Sequence, residues 1–300
     1  NAAQDIRVIA TGDTNAAARV ETPTLDVSAV SVAVNVIVAI LRSSQLALIE
    51  GVTIAQARSV SVISELNASD DKDHPGASAY LGGTGGDETA SVSLLSASAS
   101  IAIAKNDARG LARTQNITLG TSANPASLTV KSIGRAYAAA DILQPSSVGL
   151  VSLSVNVLYA YANGVFEALA GFGGAGSYLG DLTVEADYEA YAEAYTGSGT
   201  LDVAAASVAV NVAYAETGTI VNVGLIGGKL YYRGSADLTV EADGTGKAYT
   251  GVRAAAVELT GVKVAANFVT AKLTAEHNVF IQDTDIETDK NVCVLSTYNE

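Results

Sequence analysis

Apolar residues alternate with small polar ones along extended stretches of this chain. In "VSVAVNVIVAI" the residues Val30, Val32, Val34, Val36, Val38 and Ile40 share one parity, and Ser31, Ala33, Asn35, Ile37 and Ala39 share the other. A period of two is the signature of a strand, because successive side chains of extended backbone point to opposite faces. The same split sets Val151, Leu153, Val155 and Val157 against Ser152, Ser154 and Asn156, and Val208, Val210 and Val212 against Ala209 and Asn211. β-Branched residues dominate these stretches, as strands favour. The rival reading is an Ala-rich amphipathic helix, for example "LDVAAASVAVNVAYAE" at 201–216, but its Val residues would scatter around the helix instead of forming a stripe. The pattern therefore predicts an all-β chain with a core of Val, Leu and Ile ladders.

Two phrases recur. The first carries an Asn at Asn35, Asn156, Asn211 and Asn267, with Ser100 in the equivalent place between the first two. The second is "DLTVEAD" at 181–187 and 237–243, with relatives whose first apolar residues are Ile6, Val60, Leu128, Leu182, Leu238 and Val292. Apart from one longer interval in each series, both phrases return with a period of about 55, and two independent phrases with one period mark a repeat array. The two longer intervals overlap between Val60 and Ser100, where an insertion lengthens the second repeat; its place is the turn-rich stretch 67–88. Pro23, Pro75, Pro125 and Pro145 all lie outside both phrases, as they must if the phrases are strand interiors. Gly-rich segments at 171–180 and 196–200 lie between phrases, where corners belong.

The predicted architecture is a β-solenoid occupying residues 1–300 as one continuous array. Each repeat unit is read as two coils, one per phrase, so that eleven coils spaced about 4.8 Å apart give a rod on the order of 50 Å long. Lys131 and Arg135 match Glu185 and Glu189 one repeat later, which in this reading places them roughly 10 Å apart with little mutual attraction. The repeat Asn residues either sit on a small outward face of Ser, Ala and Asn, bonding backbone at a corner, or mark a smooth face for lateral docking.

Composition narrows the function classes. Apolar residues make up 49% of the chain at a mean hydropathy of +0.29, yet Trp and Met are absent and only four Phe occur, so the core is made of small side chains. A net charge of −14 argues against nucleic acid, whose phosphates call for clustered Lys and Arg. The single Cys293 excludes an intrachain disulfide framework and a Cys-based metal cluster. The run from Val27 to Leu41 is too short and too polar for a membrane-spanning helix. The opening "NAAQDIRV" shows no signal segment, as in a trimmed product or a piece of something longer.

The alternating phrases "SVAVNV" and "LTVEADYEAYAEAYTGSG" resemble the repeats of large bacterial secreted proteins of the leukotoxin-type filamentous adhesin group, over essentially the whole chain. The resemblance implies a right-handed parallel β-helix, export to the cell surface, and a role in adhesion or as an extended scaffold. It carries over no catalytic residue, and the 67–88 insertion departs from its pattern.

Candidate chemistry is sparse. His74 and His277 are far apart and lack paired-ligand spacing. Asp70, Asp71 and Asp73, with His74, offer hard oxygens for Ca²⁺, against the alternative of a solvated loop, since the EF-hand Gly and terminal Glu are missing. "GGTGGD" at 82–87 and "GFGGAG" at 171–176 read as corners, without a β-α-β context for a nucleotide. The expectation is an extracellular structural or adhesive shaft that self-associates head to tail, laterally, or both, and meets a host or neighbouring cell. A β-helical carbohydrate-active enzyme or glycan-binding module is the alternative, and an enzyme would need carboxylates converging on one face.

Overall fold

The structure, a computed structural model, describes residues 4–20, 25–68, 76–82, 90–143, 146–197, 201–253 and 257–299. The chain winds through β1 (Gln4–Gly12), β2 (Ala16–Val20), β3 (Leu25–Glu50), β4 (Thr53–Ile54), β5 (Ala57–Leu66), β6 (Ala77–Leu81) and β7 (Ala90–Leu119). It continues through β8 (Ala126–Leu143), β9 (Ser146–Phe172), β10 (Ser177–Gly197), β11 (Leu201–Ile226), β12 (Lys229–Tyr232), β13 (Leu238–Arg253), β14 (Val257–Gln282), β15 (Asp285–Glu287) and β16 (Val292–Asn299). No helix occurs among the described residues.

The strands form two parallel sheets packed on one another. The second-phrase sheet runs β1-β5-β8-β10-β13-β16, with β2 and β6 extending its first turns beside β8 and with β12 and β15 continuing the start of β10. The Asn-phrase sheet runs β3-β7-β9-β11-β14. Each strand pairs with its equivalent one repeat away: Leu128 lies opposite Leu182, and Asn156 opposite Asn211. One repeat is therefore one wide turn, a strand out and a strand back. Two coils per repeat would have paired the two phrases with each other, and they lie in separate sheets. Six second-phrase strands span about 24 Å along the stack at about 4.8 Å per step, half the length expected from sequence.

In the second phrase the inward residues are the expected ones. Val60, Val62, Leu128, Val130, Leu182, Val184, Leu238 and Val240 are buried. In the Asn phrase the phase is reversed. Val30, Val32, Val34 and Val36 are 60 to 73% exposed, whereas Ile37, Ala39, Ser100, Asn156 and Asn211 are buried. The reason lies further along the same strands, where Ala39, Ala104, Ala160, Ala215 and Ala271 form one ladder through all five turns. Opposite it the other sheet presents Ala136, Ala138, Ala140, Ala190, Ala192 and Ala194, all buried. Alanine-lined faces leave little room between the sheets, so parity carries the bulkier Val residues to the outside.

Two aromatic rings enter this core where glycine makes room. A Cβ on Gly134 would collide with the Phe166 ring, and one on Gly244 with the Tyr188 ring. Phe166 stacks on Tyr188 at 5.8 Å, Tyr188 meets His277 edge-on at 5.5 Å, and His277 meets Tyr298 edge-on at 5.5 Å. An aromatic column thus runs up the stack inside the alanine core.

Several buried polar groups are matched across turns. Asn156 Nδ2 donates to Asn211 Oδ1 at 2.8 Å, and Asn211 Nδ2 donates to Asn267 Oδ1 at 2.8 Å. Ser132 Oγ donates to the Gly110 carbonyl at 2.9 Å, linking the two sheets. Some charged positions change sign between adjacent turns: Lys131 Nζ lies 2.8 Å from Glu185 Oε1, and Arg135 lies 3.4 Å from Glu189, whereas Glu185 and Glu241 stand opposite one another with the same sign. The two pairs of opposite sign are direct contacts because the turns are adjacent, which replaces the wide separation expected from sequence, and each contributes up to about 1 kcal/mol.

The insertion is not one loop. β6 falls inside the 67–88 stretch and keeps its place in the sheet, with Ala77, Ala79 and Leu81 buried. Compared with the turn before it, the extra length is shared between the β5–β6 and β6–β7 connections, with the larger part in the first. Asn67 anchors the first excursion in a left-handed conformation (φ 52°), accepting from the Thr14 amide at 2.7 Å and donating to the Arg135 carbonyl at 3.4 Å.

Asn211→Ala is expected to lower stability by about 1–3 kcal/mol, because the buried Asn156 amide loses its acceptor. Urea denaturation of the variant against the parent measures this.

Candidate functional site

The outer face of the Asn-phrase sheet divides into an apolar half and a polar half. Past the Val positions one outward ladder reads Ile40, Lys105, Tyr161, Glu216 and Lys272, and the next reads Arg42, Asp107, Asn163, Gly218 and Thr274. The second ladder and the one beyond it, with Arg109, Val165, Ile220 and Glu276, line a groove of about 850 Å³ that crosses all five turns. Gly218 helps to keep the floor open, since a Cβ there would lie 2.8 Å from Asn163 Oδ1.

Asp107 is the electrostatic centre of the groove. Lys105 Nζ approaches it at 3.0 Å, Arg42 Nε at 3.8 Å, and Asn163 Nδ2 donates to it at 3.4 Å. Tyr161 stands in the ladder next to the groove and clusters with Tyr159 and Tyr214, with ring centroids 5.6 to 6.1 Å apart. Tyr214 Oη donates to Glu216 at 2.6 Å, and Lys272 Nζ does so on the other carboxylate oxygen at 2.6 Å. The Glu216 bond is the largest contribution to pushing the Tyr214 hydroxyl up to about 12. Desolvation opposes ionisation of Glu216, but the bonds from Lys272 and Tyr214 outweigh it and hold the carboxylate below its usual range. Ring faces beside amide, carboxylate and guanidinium groups suit a polyhydroxylated ligand. Asp107 and Glu276, the two groove carboxylates, stand three turns apart, roughly 14 Å at the usual strand spacing and beyond the ~5–9.5 Å of a glycosidase pair.

A second polar node lies at the open end of the core. His277 Nε2 is 2.8 Å from Tyr188 Oη, and His277 Nδ1 is 3.0 Å from Ser296 Oγ. These bonds occupy both ring nitrogens in a small pocket lined also by Leu273 and Tyr298. Burial lowers the imidazole pKa, and the nearby Asp243 only partly opposes this. Burial likewise raises the Tyr188 hydroxyl. The Ser296 and His277 pair has no carboxylate hydrogen-bonded to the ring, so it lacks the orienting third member of a hydrolytic triad.

Asn156 and Asn211 lie in the core and not on an outward face or at a corner, whereas Asn267 continues their ladder in an exposed position on the last turn and Asn35, half-buried, faces Ser100 on the first. Asp70, Asp71, Asp73 and His74 lie outside the described residues. Among the described residues no cluster of three or more His, Cys, Asp or Glu side chains forms a metal site, and no helix is long and apolar enough to cross a membrane. Gly173 serves a corner as expected, its amide donating to the Ile117 carbonyl at 2.7 Å. The groove was hidden from a linear reading because its members lie one full repeat apart in the chain. The signal that finds it is the ladder register, since residues at a fixed place in the repeat become neighbours. Comparison with family models, curated proteins and solved structures returns no match for this chain.

A His whose folded pKa is depressed gives stability that is present above the unfolded value near 6.5 and is lost as pH falls towards the folded value. Between about pH 7.5 and 5.5 the melting temperature of the parent is expected to fall further than that of His277→Gln, which keeps a polar side chain but cannot titrate. Thermal melts followed by circular dichroism across that range give the comparison.

Proposed function

We propose that this chain is a structural and adhesive segment of a bacterial cell-surface shaft or filament, a right-handed β-solenoid that lengthens by adding turns. The observation that carries the reading is the pair of open edges. Among the described strands β3 and β14 each have one long neighbour, so each end of the stack presents a 26-residue strand edge. Such an edge is a template for a further parallel strand, supplied by more of the same polypeptide or by another copy. The last turn also exposes Leu259, Val264 and Phe268, which a further turn would partly cover. The resemblance to adhesin repeats and the acidic surface support an extracellular setting.

Negative-stain electron microscopy and light scattering at rising concentration test the assembly. Particles that lengthen with concentration and diffract at about 4.8 Å along their axis are expected. Particles that keep the axial length of a single stack at every concentration would sink stacking between copies.

The groove beside Tyr161 favours a second reading, a glycan-binding module in which sugar rings lie on the tyrosines and hydroxyls meet Asn163 and Asp107. Calorimetric titration with neutral oligosaccharides is expected to show binding that Tyr161→Ala weakens about two- to tenfold, in keeping with the energy of ring contacts. Binding that is unaffected by Tyr161→Ala would remove the groove from consideration.

A further inference from the structure

The apolar half of the outer Asn-phrase sheet is the largest feature that axial stacking and the groove leave mostly unaccounted for, since they draw only on Val264 and Phe268 at its last turn and on Tyr159 and Tyr214 at its border. Five successive outward positions on each of five strands, from Val30 to Val38 on the first turn and from Val262 to Thr270 on the last, carry no charged residue. Val34 is 73% exposed, Leu153 44% and Val264 58%, so the face is open across the whole stack. At about 6.6 Å between alternate residues and about 4.8 Å between strands, the area is roughly 800 Å². That exceeds the ~300–600 Å² of the largest apolar patch on a typical monomer.

We propose that two copies of this chain pack face to face through this surface, in a two-fold sheet-on-sheet dimer. The area matches the ~800 Å² per partner that a standard stable interface buries. The face is built mostly from aliphatic side chains arranged in straight ladders, so a second copy turned over upon it presents matching ridges at the ~10 Å spacing of packed sheets. A two-fold dimer uses one patch twice and closes on itself. The border next to the groove carries both signs, Lys105 and Lys272 beside Glu216, and this mixed rim suits a protein partner better than an anionic lipid surface, which would call for cations alone. The interface lies at right angles to the stacking direction and is independent of it.

Sedimentation equilibrium of the full chain, at concentrations below any lengthwise growth, tests the proposal. The parent is expected at twice the chain mass. Leu153→Lys and Val208→Lys, each made separately at the centre of the face and pointing away from the core, are expected at the single-chain mass with an unchanged melting profile. Should either misfold, Val34→Lys, at the most exposed valine of the face, gives the same readout. A parent that remains single at every concentration, or lysine variants that remain dimeric, would overturn the proposal. So would flotation of monomeric parent with phosphatidylcholine vesicles that the variants fail to join, which would assign the face to a bilayer. In electron micrographs a lysine variant that still lengthens but halves in width isolates the lateral contact from axial stacking, and a dimer that never lengthens isolates the converse.

Discussion

Every strand hydrogen-bonds to its own equivalent one turn away, so each side chain sits above and below the residue at the same place in the repeat. That condition selects residues that tolerate a copy of themselves. Alanine does so by being small, and valine by stacking methyl groups. Asparagine does so in the core because its amide is both donor and acceptor, so that Asn156, Asn211 and Asn267 satisfy one another where no water is needed. Charges do not stack on their like without cost, and at several places the chain puts opposite signs in register, as in Arg42 on Asp107, Lys131 on Glu185, and Lys272 on Glu216, though Glu185 also stands over Glu241. Asp187 over Asp243 is another like pair, and the Asp187 carboxyl pKa is raised, chiefly by burial, with neighbouring acids adding to the effect.

The two faces of the Asn-phrase sheet follow from the same condition applied to a narrow interior. Alanine ladders on both sheets bring the backbones close, and two rings of the aromatic column are admitted against glycine. Apolar bulk that has no place inside is displaced to the outside, where it forms a flat apolar field beside a polar groove. The sheet therefore carries, in order along its strands, an apolar field and a polar groove drawn out across five turns by repetition, with tyrosines between them on the two turns of β9 and β11.

Much of this was legible from the residues, and the failures share a cause. The strands follow from alternation and the period near 55 from the spacing of the two phrases, while the parallel arrangement is what the family resemblance implies. Alternation defines a period but not a phase, so it points to a valine core in the Asn phrase, whereas the ladder of Ala39 and its equivalents sets the opposite parity inward. Spacing likewise could not separate one wide turn from two narrow ones, since both give the same period; only the pairing of Leu128 with Leu182 decides it. The groove and the contact between Lys131 and Glu185 were obscured by that same ambiguity. The division of the insertion around β6 depended on Ala77, Ala79 and Leu81 retaining strand parity within a stretch that otherwise reads as turn.

A chain of near-identical turns faces a hazard in folding, because a strand that docks one turn too early finds almost the right neighbour. The aromatic column removes that degeneracy. Phe166 fits only where Gly110, Gly134 and Gly164 meet, and Tyr188 only beside Gly244. Each bulky ring therefore acts as an address label, giving an otherwise periodic molecule a way to count its own turns.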